Sequence, residues 1–152
     1  METSPQPAIR AAYADPRTGA GLLWDEDRVR SSADGNSYPI VRGVPNFLAG
    51  PAEVSPEFVE RFDRLHRLAS SLGWRKALEA VDGEVDPYLT DPRRAHYLEL
   101  LPLDGARVLE IGASLGQHTL SVARRAASVH AFEISPGQAQ FIFECCLHEG
   151  LS

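Results

Sequence analysis

The spacing of apolar residues changes character twice along this chain. Up to about residue 50, short apolar runs alternate with turns marked by Gly and Asp, as in Asp15-Pro16-Arg17-Thr18-Gly19 and Asp34-Gly35-Asn36-Ser37. Such punctuation predicts small strands. Gly21 to Trp24 and Arg28 to Arg30 form the two arms of a hairpin in this reading. The stretch Tyr38 to Leu48 follows, with a turn at Arg42-Gly43. Its prolines remove backbone donors, so the spacing predicts an edge strand there.

From about residue 51 to 103 the period becomes helical. Ser55 is positioned as an N-cap with Pro56 at the first helical residue. Phe58, Phe62, Leu65, Leu68 and Leu72 recur at steps of three and four, which marks one apolar face, and Gly73 ends it. A shorter helix is predicted over Trp74 to Val81, closed by Asp82-Gly83. Asp91 and Pro92 open a third, with Ala95, Leu98 and Leu101 facing inward.

The last segment alternates strand and helix. Ala106 to Gly112 is a compact apolar strand ending in glycine, and a helix is expected from about Gly116 to Arg125. A second strand spans Ser128 to Glu133. Ser135, Pro136 and Gln138 supply an N-cap, a first-turn proline and a capping-box partner for a final helix that stops at Gly150. Strand, helix, strand and helix in this order predict a parallel βαβ unit with one further helix. The expected organisation is a β-rich module over 1–50, a helical segment over 51–103 and an α/β unit over 104–152.

Composition narrows the function classes. A net charge of -6 argues against a dominant phosphate-binding surface, since nucleic-acid affinity rests on many Lys and Arg contacts. Arg61, Arg64 and Arg67 share a predicted helix and read as a solvated face. No apolar run is long enough to cross a membrane, and METSPQPAIR lacks a secretory pattern, so the expected location is the cytoplasm. The only two cysteines, Cys145 and Cys146, are adjacent, which gives no disulfide framework. The five histidines form no metal-like cluster, so no metal is expected.

Two features of the last segment carry chemistry. The loop Glu110-Ile111-Gly112-Ala113-Ser114-Leu115-Gly116 joins strand to helix through small residues, which lets a ligand approach the backbone. Glu133 ends the next strand, 17 positions after Gly116. In doubly wound folds, a carboxylate there lies beside the loop and can accept hydrogen bonds from ribose hydroxyls. The glycines do not match G-x-G-x-x-G, and Glu110 adds negative charge where a dinucleotide needs room for phosphate, so an NAD(P)-binding domain is the weaker alternative.

The stretch Val108 to Gly116 resembles the first motif of class I S-adenosylmethionine (SAM)-dependent methyltransferases, and Val129 to Ser135 resembles the second. The resemblance implies an α/β, Rossmann-like fold and SAM as cofactor. Glu110, Gly112, Ala113, Ser114 and Gly116 would shape the methionine end of the pocket. Glu133 would hold the ribose, and Ile134 would pack against adenine. Ser114 departs from the family, which usually has a middle glycine. No residue is assigned a catalytic role. The family's sheet has seven strands and this chain supplies two, so the resemblance implies an incomplete domain, inactive alone. A second copy, a second chain or missing strands would complete it. A non-enzymatic module that binds a partner methyltransferase is the other reading.

The first segment resembles the zinc-ribbon family that activates methyltransferases. The likeness rests on Tyr38-Pro39-Ile40-Val41-Arg42-Gly43-Val44-Pro45. Asp15, Thr18, Ser31 and Asp34 stand where that family has cysteines, which implies a ribbon without metal, since zinc prefers thiolate and imidazole. Contacts from Leu22, Trp24, Ile40 and Phe47 would then replace the metal's contribution.

Overall fold

The computed structural model describes residues 13–48, 55–83 and 92–151, and it mixes helices and strands. The chain divides into two compact units, Met1–Pro51 and Ala52–Ser152.

The first unit is a four-stranded antiparallel sheet in the order β1-β2-β3-β4. Its strands are β1 (Leu22–Trp24), β2 (Arg28–Ser31), β3 (Ser37–Val41) and β4 (Val44–Pro45). The hairpin β1–β2 forms as its pattern predicts, and an Ala14–Gly21 bridge extends it. Arg42 and Gly43 turn the chain with φ of 52° and 80°, values that suit a tight β3–β4 connection.

The expectation of an edge strand at Tyr38 fails. β3 is an inner strand, paired with β2 on one side and β4 on the other. Pro39 is tolerated because of the direction its nitrogen takes. The Ile40 N–H donates to the Asp27 carbonyl on the β2 side, so the neighbouring residue addresses β4. There the Asn46 N–H donates to the Pro39 carbonyl, just past the end of β4, and the missing donor falls where the ladder stops.

The second unit holds α1 (Pro56–Leu72), α2 (Trp74–Asp82), a 3-10 helix (Pro92–Leu100), β5 (Arg107–Ile111), α3 (Gln117–Ala123), β6 (Ser128–Phe132) and α4 (Pro136–His148). Ser55 caps α1 as expected, its hydroxyl accepting the Phe58 N–H at 3.2 Å. Phe62, Leu65 and Ala69 are the buried residues of α1, whereas Leu72 is half exposed at the helix end. Gly73, at φ 83°, turns the chain directly into α2. Trp74, Ala77 and Leu78 of α2 join Phe62, Leu65 and Ala69, Leu120 of α3, and Phe141 and Cys145 of α4 in one core.

Arg61 and Arg64 do more than solvate a face. Arg61 grips Asp82 with Nε to Oδ1 at 2.9 Å and Nη2 to Oδ2 at 2.6 Å, and Arg64 reaches the Ala80 carbonyl at 3.3 Å, so both clamp α1 to α2. The third predicted helix is 3-10 rather than α. Its expected opening residue, Asp91, lies outside the described residues. Leu98 is buried, but Leu101 is exposed, and Leu103 fills the inward place instead. The physical reason is where the helix stops: it ends at Leu100, so Leu101 lies beyond the turn that would stack it on Leu98.

β5 and β6 pair in parallel, with Arg107 opposite Ser128 and Ile111 opposite Phe132. Val108 and Val129 pack against Leu98, Leu103 and Val122, so this face of the pair is covered. On the other face Leu109 is 62% and Ile111 81% exposed, with Phe132 at 40%. α4 ends as its glycine predicts: Gly150 has φ 70°, and the Leu151 N–H donates to the Cys146 carbonyl at 2.8 Å. No described helix is long and apolar enough to cross a membrane.

Candidate functional site

The candidate site sits where β5 and β6 end and their loops begin. Gly112 and Ala113 both donate to the Phe132 carbonyl, at 2.8 and 3.2 Å, which stitches the glycine loop to the end of β6. Three residues of the loop have positive φ: Gly112 at 76°, Ser114 at 53° and Gly116 at 83°. A side chain is strained in this region, where glycine is not. Ser114 bears the strain, at a cost of about 1 kcal/mol.

Its compensation is visible. The Ser114 N–H donates to Glu133 Oε2 at 2.8 Å, across a separation of 19 residues. Glu133 Oε1 accepts the Ser135 N–H at 3.0 Å, so the carboxylate clasps both loops at once. Gln138 does not close a capping box on Ser135. Its Nε2 lies 3.4 Å from Ser114 Oγ, drawn to the strained serine, while the Ser135 hydroxyl accepts the Gln138 N–H at 3.3 Å. The Ser135 N–H that a capping box would engage is already taken by Glu133.

Glu110 points to the covered side of the sheet, where Thr119 donates its hydroxyl to Oε2 at 2.6 Å. Thr119 is buried and fixes the carboxylate's orientation. Burial, followed by the charges of Glu110 and Glu149, pushes the Cys146 thiol up to about 11, so it stays protonated at neutral pH. Burial likewise pushes the Cys145 thiol upward, and neither cysteine is a nucleophile here.

The two motifs are thus brought together. Gly112, Ala113, Ser114 and Gly116 form the loop, Glu133 closes it, and Ile134 stands beside it, 74% exposed. Gly112 and Gly116 differ in what surrounds them. A Cβ on Gly112 would meet nothing within 4 Å, so the loop there is open to a ligand. A Cβ on Gly116 would come within 3.3 Å of Ile142, so that glycine serves the approach of α4.

Thr119, Gln138 and Gly137 were not singled out for these roles by sequence. Spacing offers one signal for Thr119: it follows the loop within the first turn of α3, where a side chain can turn back to the strand. Gly137 lies against α1, where an added Cβ would be 2.8 Å from Phe62 Cβ.

The four positions that the zinc-ribbon resemblance implies are only partly joined. Asp15, just 1% exposed, accepts the Tyr38 hydroxyl and the Arg17 N–H on Oδ1, both at 2.8 Å. The Ser31 hydroxyl contributes most to holding this carboxyl well below the usual carboxylate range. Burial opposes it, and Arg17, Tyr38 and Thr18 assist. Oδ2 is buried without a well-aligned hydrogen bond. Asp34 stays in its own turn and accepts the Asn36 N–H at 3.0 Å. Among the described residues, no group of three or more His, Cys, Asp and Glu side chains could hold a metal ion. Leu22, Trp24, Ile40 and Phe47 are only half-buried; Val29 and Tyr38 form the buried centre instead. Phe47 packs on Tyr38 and Tyr13 with ring centroids 5.1 and 6.3 Å away, and Trp24 meets Tyr13 edge-on at 5.9 Å.

No protein-family model matches this chain, and no match was found among curated proteins or solved structures.

Proposed function

We propose that the second unit is a Rossmann-like cofactor-binding part of a SAM-dependent methyltransferase, working in the cytoplasm. The observation that carries this reading is the clasp between Glu133 and the Ser114 N–H at 2.8 Å. It joins two motifs that sequence alone can only align. The residues fit the cofactor in three respects. A carboxylate has about four lone-pair positions, so Glu133 can hold both backbone donors and still accept ribose hydroxyls. The open space at Gly112 admits the methionine end, with Glu110 behind it. The exposed Ile134 side chain offers apolar surface to adenine.

SAM, when bound, supplies an electrophilic methyl on a sulfonium. The chain's own contribution would be to orient it: Glu133 would hold the ribose, and Glu110, its carboxylate fixed by Thr119, would bound the methionine end. Alignment of this kind is the main demand of methyl transfer.

A second reading is favoured by the open sheet face. Leu109, Ile111 and Phe132 are exposed beside a two-stranded parallel sheet, and such sheets ordinarily have both faces covered. On that reading the chain is a subunit that completes a partner methyltransferase. An NAD(P)-binding role is weaker, because the loop lacks the remaining glycines of the dinucleotide pattern.

Calorimetric titration with S-adenosylhomocysteine tests the first reading. Saturable binding that Glu133→Ala weakens at least tenfold is the expected result. Equal affinity in wild type and Glu133→Ala would remove the ribose assignment. A folded chain that does not bind S-adenosylhomocysteine, but is captured by a methyltransferase subunit, would favour the second reading.

A further inference from the structure

A cleft between α1 and the start of α4 takes no part in the cofactor-binding reading. Phe58, Val59 and Phe62 of α1 line one wall, and Ser135, Pro136 and Gly137 line the other. None of Gly112, Ser114, Gly116, Glu133 and Ile134 lines it. It is nonetheless tied to the clasp, because the Ser135 N–H donates to Glu133 Oε1 at 3.0 Å. The walls are largely apolar, and the Phe58 and Phe62 rings stand 4.6 Å apart between centroids, tilted by 39°. Gly137 presents bare backbone opposite them. The cleft has a volume of about 260 Å³. Cavities for drug-sized ligands begin at roughly 300 Å³, so this one suits one or two fused rings.

One buried polar group gives the cleft a direction. Ser135 is only 4% exposed. Its hydroxyl oxygen accepts the Gln138 N–H at 3.3 Å, and among the described residues nothing accepts the hydroxyl proton. A buried donor without an acceptor costs free energy that a ligand's lone pair would recover. Asp63 and Gln140 also line the cleft, but each already has a partner.

We propose that this cleft binds an uncharged, flat heteroaromatic molecule of one or two rings, at a site distinct from the glycine loop. Each part of that description has its own cause. Apolar walls exclude a charged ring, which would lose its hydration without a counter-ion. Two tilted phenyl rings offer the face and edge contacts that another aromatic ring takes up. The Ser135 hydroxyl calls for an acceptor, and a ring nitrogen holds its lone pair in the ring plane, so one orientation satisfies both the hydrogen bond and the stacking. The inference stands apart from the methyltransferase reading, since no residue assigned to the cofactor lines the cleft.

Quinoline and indole test it. Both are flat, two-ring and uncharged at neutral pH, but only quinoline carries a ring nitrogen that accepts a hydrogen bond. The purified full chain is titrated with each while the Ser135 and Gly137 amide signals are followed by NMR. Saturable shifts at both amides are expected, with quinoline about fivefold tighter than indole, the worth of one net hydrogen bond. Ser135→Ala should erase that preference, and Val59→Phe, which crowds the mouth without touching the cap of α4, should weaken both ligands. Melting followed at Trp74 verifies that each variant is folded. Quinoline affinity should be the same with and without saturating S-adenosylhomocysteine. Absence of saturable shifts in the wild-type chain overturns the inference, and so does equal affinity for the two rings. Displacement of quinoline by S-adenosylhomocysteine overturns the separateness of the site. If S-adenosylhomocysteine itself does not bind, the cofactor reading falls, and the quinoline titration decides the cleft alone.

Discussion

The two sheets of this protein solve the same problem in opposite ways. The first unit has four short antiparallel strands, and the buried Asp15 carboxylate accepts both the Arg17 N–H and the Tyr38 hydroxyl within it. The β5–β6 pair has longer strands and a sturdier helical backing, yet it leaves Leu109 and Ile111 exposed on one face. Antiparallel hairpins satisfy neighbours that are close in sequence, so a short segment can close on itself. A parallel pair needs helices on both faces, and here α3 and the 3-10 helix supply only one. Closure is thus a local property in the first unit and a non-local one in the second.

Two tryptophans, one per unit, allow the comparison to be probed separately: Trp24 reports the ribbon and Trp74 the helical core. The largest effect is expected at Phe141, fully buried at the centre of the second unit's core. Phe141→Ala should cost that unit about 3–5 kcal/mol in chemical denaturation followed by Trp74 fluorescence. An unchanged Trp24 transition in the same variant would show that the ribbon's closure is its own; a shared loss would break the contrast.

Next comes the carboxylate that closes the ribbon. Asp15→Ala should lower the melting temperature read at Trp24 by roughly 10 °C, since it leaves the Tyr38 hydroxyl and a backbone donor without their acceptor. The acid dependence has a definite sign. Asp15 is held below its unfolded pKa, so its contribution is complete above that unfolded value, near 4, and fades as pH falls further. Asp15→Asn should flatten the acid limb of the Trp24 transition, and a limb that persists would place the acid sensitivity elsewhere.

A smaller loss is expected from Gly137→Ala. The new methyl would meet Phe62 Cβ, which belongs to the α1 backbone's own side and cannot swing away, so about 1–3 kcal/mol of stability should be lost at Trp74. No loss would mean that α1 and α4 can part without consequence. The smallest effect on stability belongs to the open face: Ile111→Ser should change it by less than about 0.5 kcal/mol, because the side chain is 81% exposed. Sedimentation is the sharper measurement there. Reduced self-association in Ile111→Ser would show that the exposed face is sticky in solution.

Local signals read well where one residue decides the outcome. Ser55 and Ser135 as caps, Gly73 and Gly150 as stops and Arg42-Gly43 as a turn all follow from backbone geometry that a few neighbours determine. Elsewhere, readings failed where a residue had two competing partners. Gln138 fits a capping box, but Glu133 takes the Ser135 N–H, and Ser114 attracts the amide instead. Pro39 forbids an inner strand only if its nitrogen faces a full-length neighbour, and β4 is two residues long. Leu101 fits the stripe of Ala95 and Leu98 only if the helix continues, and it ends at Leu100.

By itself, then, the sequence determined the order of elements, their caps, and the identity of the glycine loop and its carboxylate. Each of these depends on contacts within a few residues, which chain order dictates. Tertiary structure decided that Glu133 clasps Ser114, that Thr119 orients Glu110, that Tyr97 meets His118, and that Asp15 lies buried among the ribbon's turns. Those pairings join residues 9 to 23 positions apart. Such distances are set by how strands register and helices pack, and side-chain type alone does not specify them.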